Sequence, residues 1–269
     1  MSAKIAKRRL DARLVDEGLA EDVRRAAALI MEGRVLVGGQ PAKSAGAQVR
    51  DDVPVSLKGG TGGWVSRGAH KLLTAVERFS LDLNGRVCLD VGASTGGFTQ
   101  VMLTHGASRV YAVDVGYGLL DWSLRGDPRV IVMERTNARL LTPEMFPSVP
   151  DFAASDASFI SLRMLLGPMA LVTSPSAEAV VLVKPQFEAE RTDVGEGGVV
   201  RDPQVHERVL QELLEFIAEQ TPWNVIEASW SGIKGPKGNI EFLLHLRKGA
   251  PAADIDVARL VADSHEALD

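Results

Sequence analysis

The stretch Cys88-Leu89-Asp90-Val91-Gly92-Ala93-Ser94-Thr95-Gly96-Gly97-Phe98 decides how the chain is read. A short apolar run of strand character enters a turn of small side chains, and a helical pattern follows. Such a strand–turn–helix lets a ligand approach the backbone closely, because glycine has no Cβ and takes left-handed conformations without strain. A dinucleotide fingerprint would read G-x-G-x-x-G. Here Ser94 replaces the second glycine and the spacing is G-x-x-x-G-G, which suits a ligand without a pyrophosphate. The next apolar run ends at Asp114, about twenty residues on, where an acid accepts hydrogen bonds from ribose hydroxyls. S-adenosylmethionine has that chemistry: one adenosine and no phosphate. A glycine loop alone is equally a structural turn, so the pairing with Asp114 carries the nucleoside reading.

Outward from this stretch the pattern alternates strand and helix. Apolar runs at 87–91, 110–115, 130–133, 152–155 and 179–183 predict five strands, and 224–230 with 240–246 predict a closing hairpin. Helices are expected over 69–79 and 203–219. This implies an α/β, doubly wound sheet of seven strands, mostly parallel with one reversed. Before it, residues 9–15 and 23–31 read as two short amphipathic helices, and 35–37 and 49–57 alternate like strands. The expected division is a small α+β domain over 1–58, a glycine-rich linker at 59–63, the α/β domain over 64–248, and a tail at 249–269. The tail reads as a marginal helix or as disordered.

Composition bounds the rest. The chain has 269 residues, 45% hydrophobic and 24% charged, which excludes a disordered or fibrous protein and favours one or two domains. The single cysteine, Cys88, excludes an internal disulfide framework and any multi-cysteine metal site. No apolar run approaches the ~18 residues of a spanning helix. Residues 1–9 lack the apolar core of a secretory signal, so a cytoplasmic protein is expected. The overall charge of −5 hides an asymmetry, since residues 1–58 hold 11 Lys+Arg against 8 Asp+Glu. Local potential governs phosphate attraction, so the asymmetry points to an RNA- or DNA-facing module, although a plain solvated basic face is the commoner cause of such a composition.

Four residues converge in this topology. Lys71 opens the helix before the first strand, Asp156 follows the fourth strand, and Lys184 ends the fifth ahead of Pro185. Glu241 begins the last strand; if that strand is reversed, its start lies at the edge where the other strands end. A ribose hydroxyl is a poor nucleophile and must lose its proton as a methyl group is transferred. A lysine acts as that base only when burial or a neighbouring cation lowers its pKa, and neighbouring carboxylates act the other way. Which effect wins is open at this level.

The stretches Val65-Ser66-Arg67-Gly68-Ala69-His70-Lys71-Leu72, Gly92-Ala93-Ser94-Thr95-Gly96-Gly97-Phe98-Thr99 and Asp114-Val115-Gly116-Tyr117-Gly118 resemble the TlyA (haemolysin A) family. So do Glu134-Arg135-Thr136-Asn137-Ala138-Arg139, Ser158-Phe159-Ile160-Ser161-Leu162, Val183-Lys184-Pro185-Gln186-Phe187-Glu188, Gly197-Gly198-Val199-Val200 and Gly235-Pro236-Lys237-Gly238-Asn239. The resemblance implies an S-four-type RNA-binding domain joined to an FtsJ-like, Rossmann-like methyltransferase. It implies 2′-O-methylation of cytidine ribose in ribosomal RNA, within ribosomal subunits, using S-adenosylmethionine. The family's Lys-Asp-Lys-Glu tetrad falls on Lys71, Asp156, Lys184 and Glu241. The expected cofactor contacts are Asp90, Gly92, Ala93, Ser94, Thr95, Gly96, Gly97, Phe98, Asp114, Val115, Asn137 and Asp156. Expected phosphate contacts are Lys4, Lys7, Arg8, Arg9, Arg13, Arg24, Arg25, Arg34, Lys43 and Arg67. The chain departs from the family at Glu21-Asp22 and in the glycine-rich linker. No metal and no membrane are expected, and the state expected is a monomer or weak dimer. Trp64, Trp122 and Phe159 are read as core or interface packing rather than as base-stacking platforms. The competing readings are an RNA-binding ribosome-assembly factor and a membrane-active haemolysin.

Overall fold

The computed structural model describes residues 6–20, 22–31, 33–57 and 63–268; Lys4, Glu21 and linker residues 59–62 lie outside them. The N-terminal elements are β1 (Lys7–Arg9), α1 (Leu10–Asp16), α2 (Val23–Met31), β2 (Val35–Val37), β3 (Gln40–Pro41), β4 (Gln48–Arg50) and β5 (Val55–Leu57). Leu10 and Leu14, four apart on α1, share one helix face and meet Leu29 and Ile30 of α2 in a small core. Asp22 accepts the Arg25 N–H at 2.6 Å, satisfying one of the free donors at the start of α2. β1 pairs with β4, and β2 pairs with both β3 and β5, all antiparallel.

The remainder runs α3 (Gly68–Arg78), β6 (Val87–Val91), α4 (Gly97–Thr104), β7 (Arg109–Val113), α5 (Trp122–Arg125), β8 (Val130–Met133) and β9 (Phe152–Ser155). It continues with α6 (Leu166–Val172), β10 (Glu178–Val183), α7 (Pro185–Glu188), α8 (Pro203–Gln220), β11 (Trp223–Trp230), β12 (Phe242–Lys248) and α9 (Val257–Leu268). One sheet takes the order β11-β12-β10-β9-β6-β7-β8. Strand pairing is parallel from β8 to β10, and β12 is antiparallel to both its neighbours. The expected class therefore holds: a mostly parallel seven-strand α/β sheet with a small α+β module before it.

Two-residue alternation along each strand builds the layers. Leu89, Tyr111, Val181 and Leu244 face a core completed by α6, α8 and α9, while Cys88, Val110, Val180 and Leu243 face α3 and α4. The chain leaves β6 towards β7 and β8 on one side and towards β9 and β10 on the other. That reversal of direction opens a crevice at the carboxyl ends of the strands.

Of the two readings of the tail, the structure shows the helix. Val257–Leu268 forms a helix whose Val257, Leu260 and Val261 are buried against the sheet's α8 layer. Three aliphatic side chains at about 1.5–3 kcal/mol each hold it there, which its Ala-rich composition alone did not suggest. Smaller differences concern strand ends: β7 stops at Val113 and β12 starts at Phe242, so Asp114 and Glu241 lie one residue outside the strands.

Candidate active site

The turn after β6 is held by what lies under it. Gly92 has φ +84°, and a Cβ there would come within 2.9 Å of Ala157 Cα, so this turn rests on the chain just beyond β9. Gly96, at φ +98°, starts α4. Asp114 organises the same turn from the neighbouring strand: Oδ2 accepts the Ser94 N–H at 2.8 Å and Oδ1 accepts the Gly116 N–H at 2.7 Å. Asp90 lies beneath, wholly buried. Its Oδ2 accepts the Thr99 hydroxyl at 2.6 Å, and its Oδ1 has no partner. Burial pushes this carboxyl up to about 7, with Asp156 and Asp114 adding repulsion and the Thr99 bond pulling part of the way back. Val115 is exposed at the mouth, and Asn137 caps a short turn by accepting the Arg139 N–H at 3.1 Å. A strand-end carboxylate, a glycine turn and an orphaned buried acceptor form a donor and acceptor set that fits a phosphate-free nucleoside.

Beside this turn, Lys71, Asp156, Lys184 and Glu241 meet in one chain of ion pairs. Lys71 Nζ lies 2.8 Å from Glu241 Oε2 and 3.3 Å from Asp156 Oδ2. Lys184 Nζ lies 2.6 Å from Asp156 Oδ1 and donates to the Asp156 carbonyl at 3.1 Å and to Ser158 Oγ at 2.8 Å. Glu241 is the deepest, 1% exposed, and Asp156 the most open at 19%. Burial acts to lower the Lys71 pKa, but the charges and hydrogen bonds of Asp156 and Glu241 outweigh it and hold the ammonium above its ordinary value. For Lys71 the carboxylates have won. The Lys71 and Lys184 side chains lie on either side of Asp156.

The basic side chains are less uniform. Lys7, Arg24, Arg25 and Lys43 are exposed, and Arg34 is half-buried. Arg8 pairs with Asp51 at 2.7 Å and Asp16 at 2.9 Å, and Arg9 pairs with Asp11 at 2.6 Å. Arg13 is a correction: it is 4% exposed, paired with Glu17, and donates to the Arg50 carbonyl at 2.8 Å. Its charge braces the module and does not face a phosphate. Arg67 is half-buried and donates to the Lys234 carbonyl at 3.1 Å.

Of the aromatics, Trp64 packs against the α3–α4 layer, whereas Trp122 is 74% exposed and Phe159 is 90% exposed, so neither of these two belongs to the core. Phe159 stands one residue from Ser158 with φ +64°, a conformation rare for a bulky side chain. Ser158, Phe159 and Glu188 were the site neighbours that spacing missed. Their only signal was membership in the long quoted motifs.

A family model for FtsJ-like methyltransferases matches residues 64–248, and an S4 domain model matches residues 8–53. The chain belongs to the TlyA family of FtsJ-like methyltransferases. It is 48% identical over 240 residues to the "16S/23S rRNA (cytidine-2'-O)-methyltransferase TlyA" of Mycobacterium tuberculosis, covering 89% of each chain. It is 39% identical over 243 residues to "Hemolysin A" of Brachyspira hyodysenteriae, covering 88% of this chain and 98% of that one. Among solved structures, the "Putative hemolysin from Streptococcus thermophilus" superposes with a TM-score of 0.79 at 40% identity, over 98% of this chain and 97% of that one. In this FtsJ-like chain the ion-paired cluster and the glycine turn both fall within the matched 64–248 segment. Among the described residues no helix is long and apolar enough to cross a membrane.

Proposed function

We propose that the chain transfers a methyl group from S-adenosylmethionine to the ribose 2′-oxygen of cytidine in ribosomal RNA. The observation that carries the reading is the Lys184–Asp156–Lys71–Glu241 chain of ion pairs beside the Gly92–Gly97 turn. Residues 64–248 form the catalytic domain in this reading, and the N-terminal module is the RNA-binding one. When bound, S-adenosylmethionine supplies a methyl group activated by a sulfonium. Asp114 would hold the ribose of the cofactor and the turn from Gly92 to Phe98 would admit it, with Val115 and Asn137 beside it and Asp90 supporting the turn from beneath.

The work of the tetrad divides by environment. Lys71 stays an ammonium, because two carboxylates hold it there, and it serves as a fixed charge. Lys184 is the group that meets the reacting hydroxyl. In its neutral form it would take the 2′-hydroxyl proton, so that the oxygen can accept a methyl group as the methyl–sulfur bond breaks and a neutral thioether leaves, and Asp156, 2.6 Å away, would steady the resulting ammonium. Glu241, 2.8 Å from Lys71, shares that ammonium with Asp156. Exposed Phe159 offers a flat face to the target base, and Lys7, Arg24 and Lys43 offer charges to the phosphates of the surrounding RNA.

The test is incorporation of labelled methyl from S-adenosylmethionine into ribosomal subunits from cells lacking this protein, followed by mapping of the modified ribose. Wild type is expected to label a cytidine ribose, and Lys184→Ala to lose about 10²–10⁴-fold in rate. Labelling by the variant at the wild-type rate removes Lys184 from the mechanism. No labelling by wild type removes the reading itself.

A further inference from the structure

We propose that Glu188 is a positioning residue for the reaction, clamping the loop after β9 that carries Asp156, Ser158 and Phe159; this rests on the methyltransferase reading above. The five residues from Lys184 to Glu188 grip that loop at three points. Lys184 Nζ holds its near end through the Asp156 carbonyl at 3.1 Å and Ser158 Oγ at 2.8 Å. Phe187 meets Phe159 with ring centroids 5.2 Å apart. Glu188 closes the far end: Oε2 accepts the Ser161 hydroxyl at 2.6 Å and Oε1 accepts the Leu162 N–H at 2.7 Å.

The loop between these points needs holding. Phe159 has φ +64° and its ring is 90% exposed, so neither backbone preference nor burial keeps it in place. A carboxylate suits the far anchor because both its oxygens accept at once, fixing the Ser161 side chain and the Leu162 backbone in one geometry. Burial pushes the Glu188 carboxyl up, and the Ser161 and Leu162 bonds with the charge of nearby Arg163 bring it only part of the way back, so the group is not placed there for surface solubility. Glu188 touches neither the tetrad nor the expected ligands. It acts through the loop, by keeping Ser158 Oγ where it orients Lys184 and by keeping Phe159 on the substrate side.

The test compares wild type, Glu188→Ala and Glu188→Gln in the full-length protein. Gln retains an acceptor for the Leu162 N–H and gains a donor to Ser161 Oγ, so it restores the clamp. Three quantities are measured: KM and kcat on ribosomal subunits, S-adenosylmethionine affinity by calorimetry, and hydrogen exchange of residues 156–162. For Glu188→Ala, KM on subunits is expected to rise about tenfold and exchange of 156–162 to quicken about tenfold, the loss of hydrogen bonds to one charged group. Cofactor affinity stays within about twofold of wild type, and Glu188→Gln returns both affected quantities to within about threefold. Unchanged KM and exchange in Glu188→Ala overturns the proposal. So does a Gln variant as impaired as the Ala one, or a cofactor affinity that falls in parallel with KM. If wild type transfers no methyl group, the methyltransferase reading fails, while the exchange comparison still decides whether the clamp exists.

Discussion

Replacing Asp90 with Asn has a consequence that can be worked through from its surroundings. The side chain is fully buried, with one oxygen bonded to Thr99 and the other without a partner, and its pKa lies near 7 rather than at the ordinary 3.8. Below about pH 4 the carboxyl is protonated in both folded and unfolded protein, and the group is neutral towards stability. Between about pH 4 and pH 7 the unfolded chain releases the proton while the folded chain keeps it, so stability falls as pH rises. The distance from 3.8 to about 7 corresponds to about 4 kcal/mol, fully lost by pH 8. Asn stays neutral throughout and still accepts the Thr99 hydroxyl. Urea unfolding of the cofactor-free wild type and Asp90→Asn at pH 4.5, 6 and 8 should show the variant gaining on wild type across that range, by a few kcal/mol at pH 8. A difference that stays flat to within about 1 kcal/mol across the range would mean that Asp90 ionises as a solvated acid does, and the burial argument would be wrong.

Two further outcomes follow from side-chain exposure. Phe159→Ala should leave unfolding free energy within about 0.5 kcal/mol of wild type and cofactor affinity unchanged, yet raise KM on ribosomal subunits about tenfold, the worth of one base–aromatic contact; an unaffected KM would return Phe159 to a role in solvent. Arg13→Ala and Lys43→Ala should separate: the first destabilises the N-terminal module by about 2 kcal/mol and leaves the salt dependence of RNA binding alone, because the buried guanidinium holds Glu17 and the Arg50 carbonyl. Lys43→Ala leaves stability alone and flattens the log–log salt dependence by about one charge, read from binding titrations at several salt concentrations.

Much of this site was legible before any fold. The β6 turn, Asp114, Asp156, Lys184 and Glu241 fall at strand ends, which are marked locally by apolar runs meeting Gly, Pro or charge, while Lys71 lies in the first turn of α3. Glu241 was recoverable because a reversed last strand brings its start to the rim where the other strands finish, and β12 is reversed. What local spacing misjudged was exposure. Phe159 and Trp122 have packing side chains by type, and Arg13 has a phosphate-binding one. Whether such a residue is buried depends on neighbours far away in the chain, not on its own character. The choice between helix and disorder in the tail was open for the same reason, since Val257, Leu260 and Val261 gain their stability from α8 and the sheet.

The order of apolar and small residues along the chain was enough to determine the elements, the doubly wound class and the rim on which charged residues collect, because these depend on periods of two and on 3.6-residue turns. Only the folded molecule decided the electrostatics of that rim. Lys71 lies between Asp156 and Glu241, contacts that no spacing rule encodes, and these two carboxylates within 3.3 Å outweigh desolvation of its ammonium. Balances of this kind are settled by ångström distances and local dielectric, and both exist only once the chain has closed on itself.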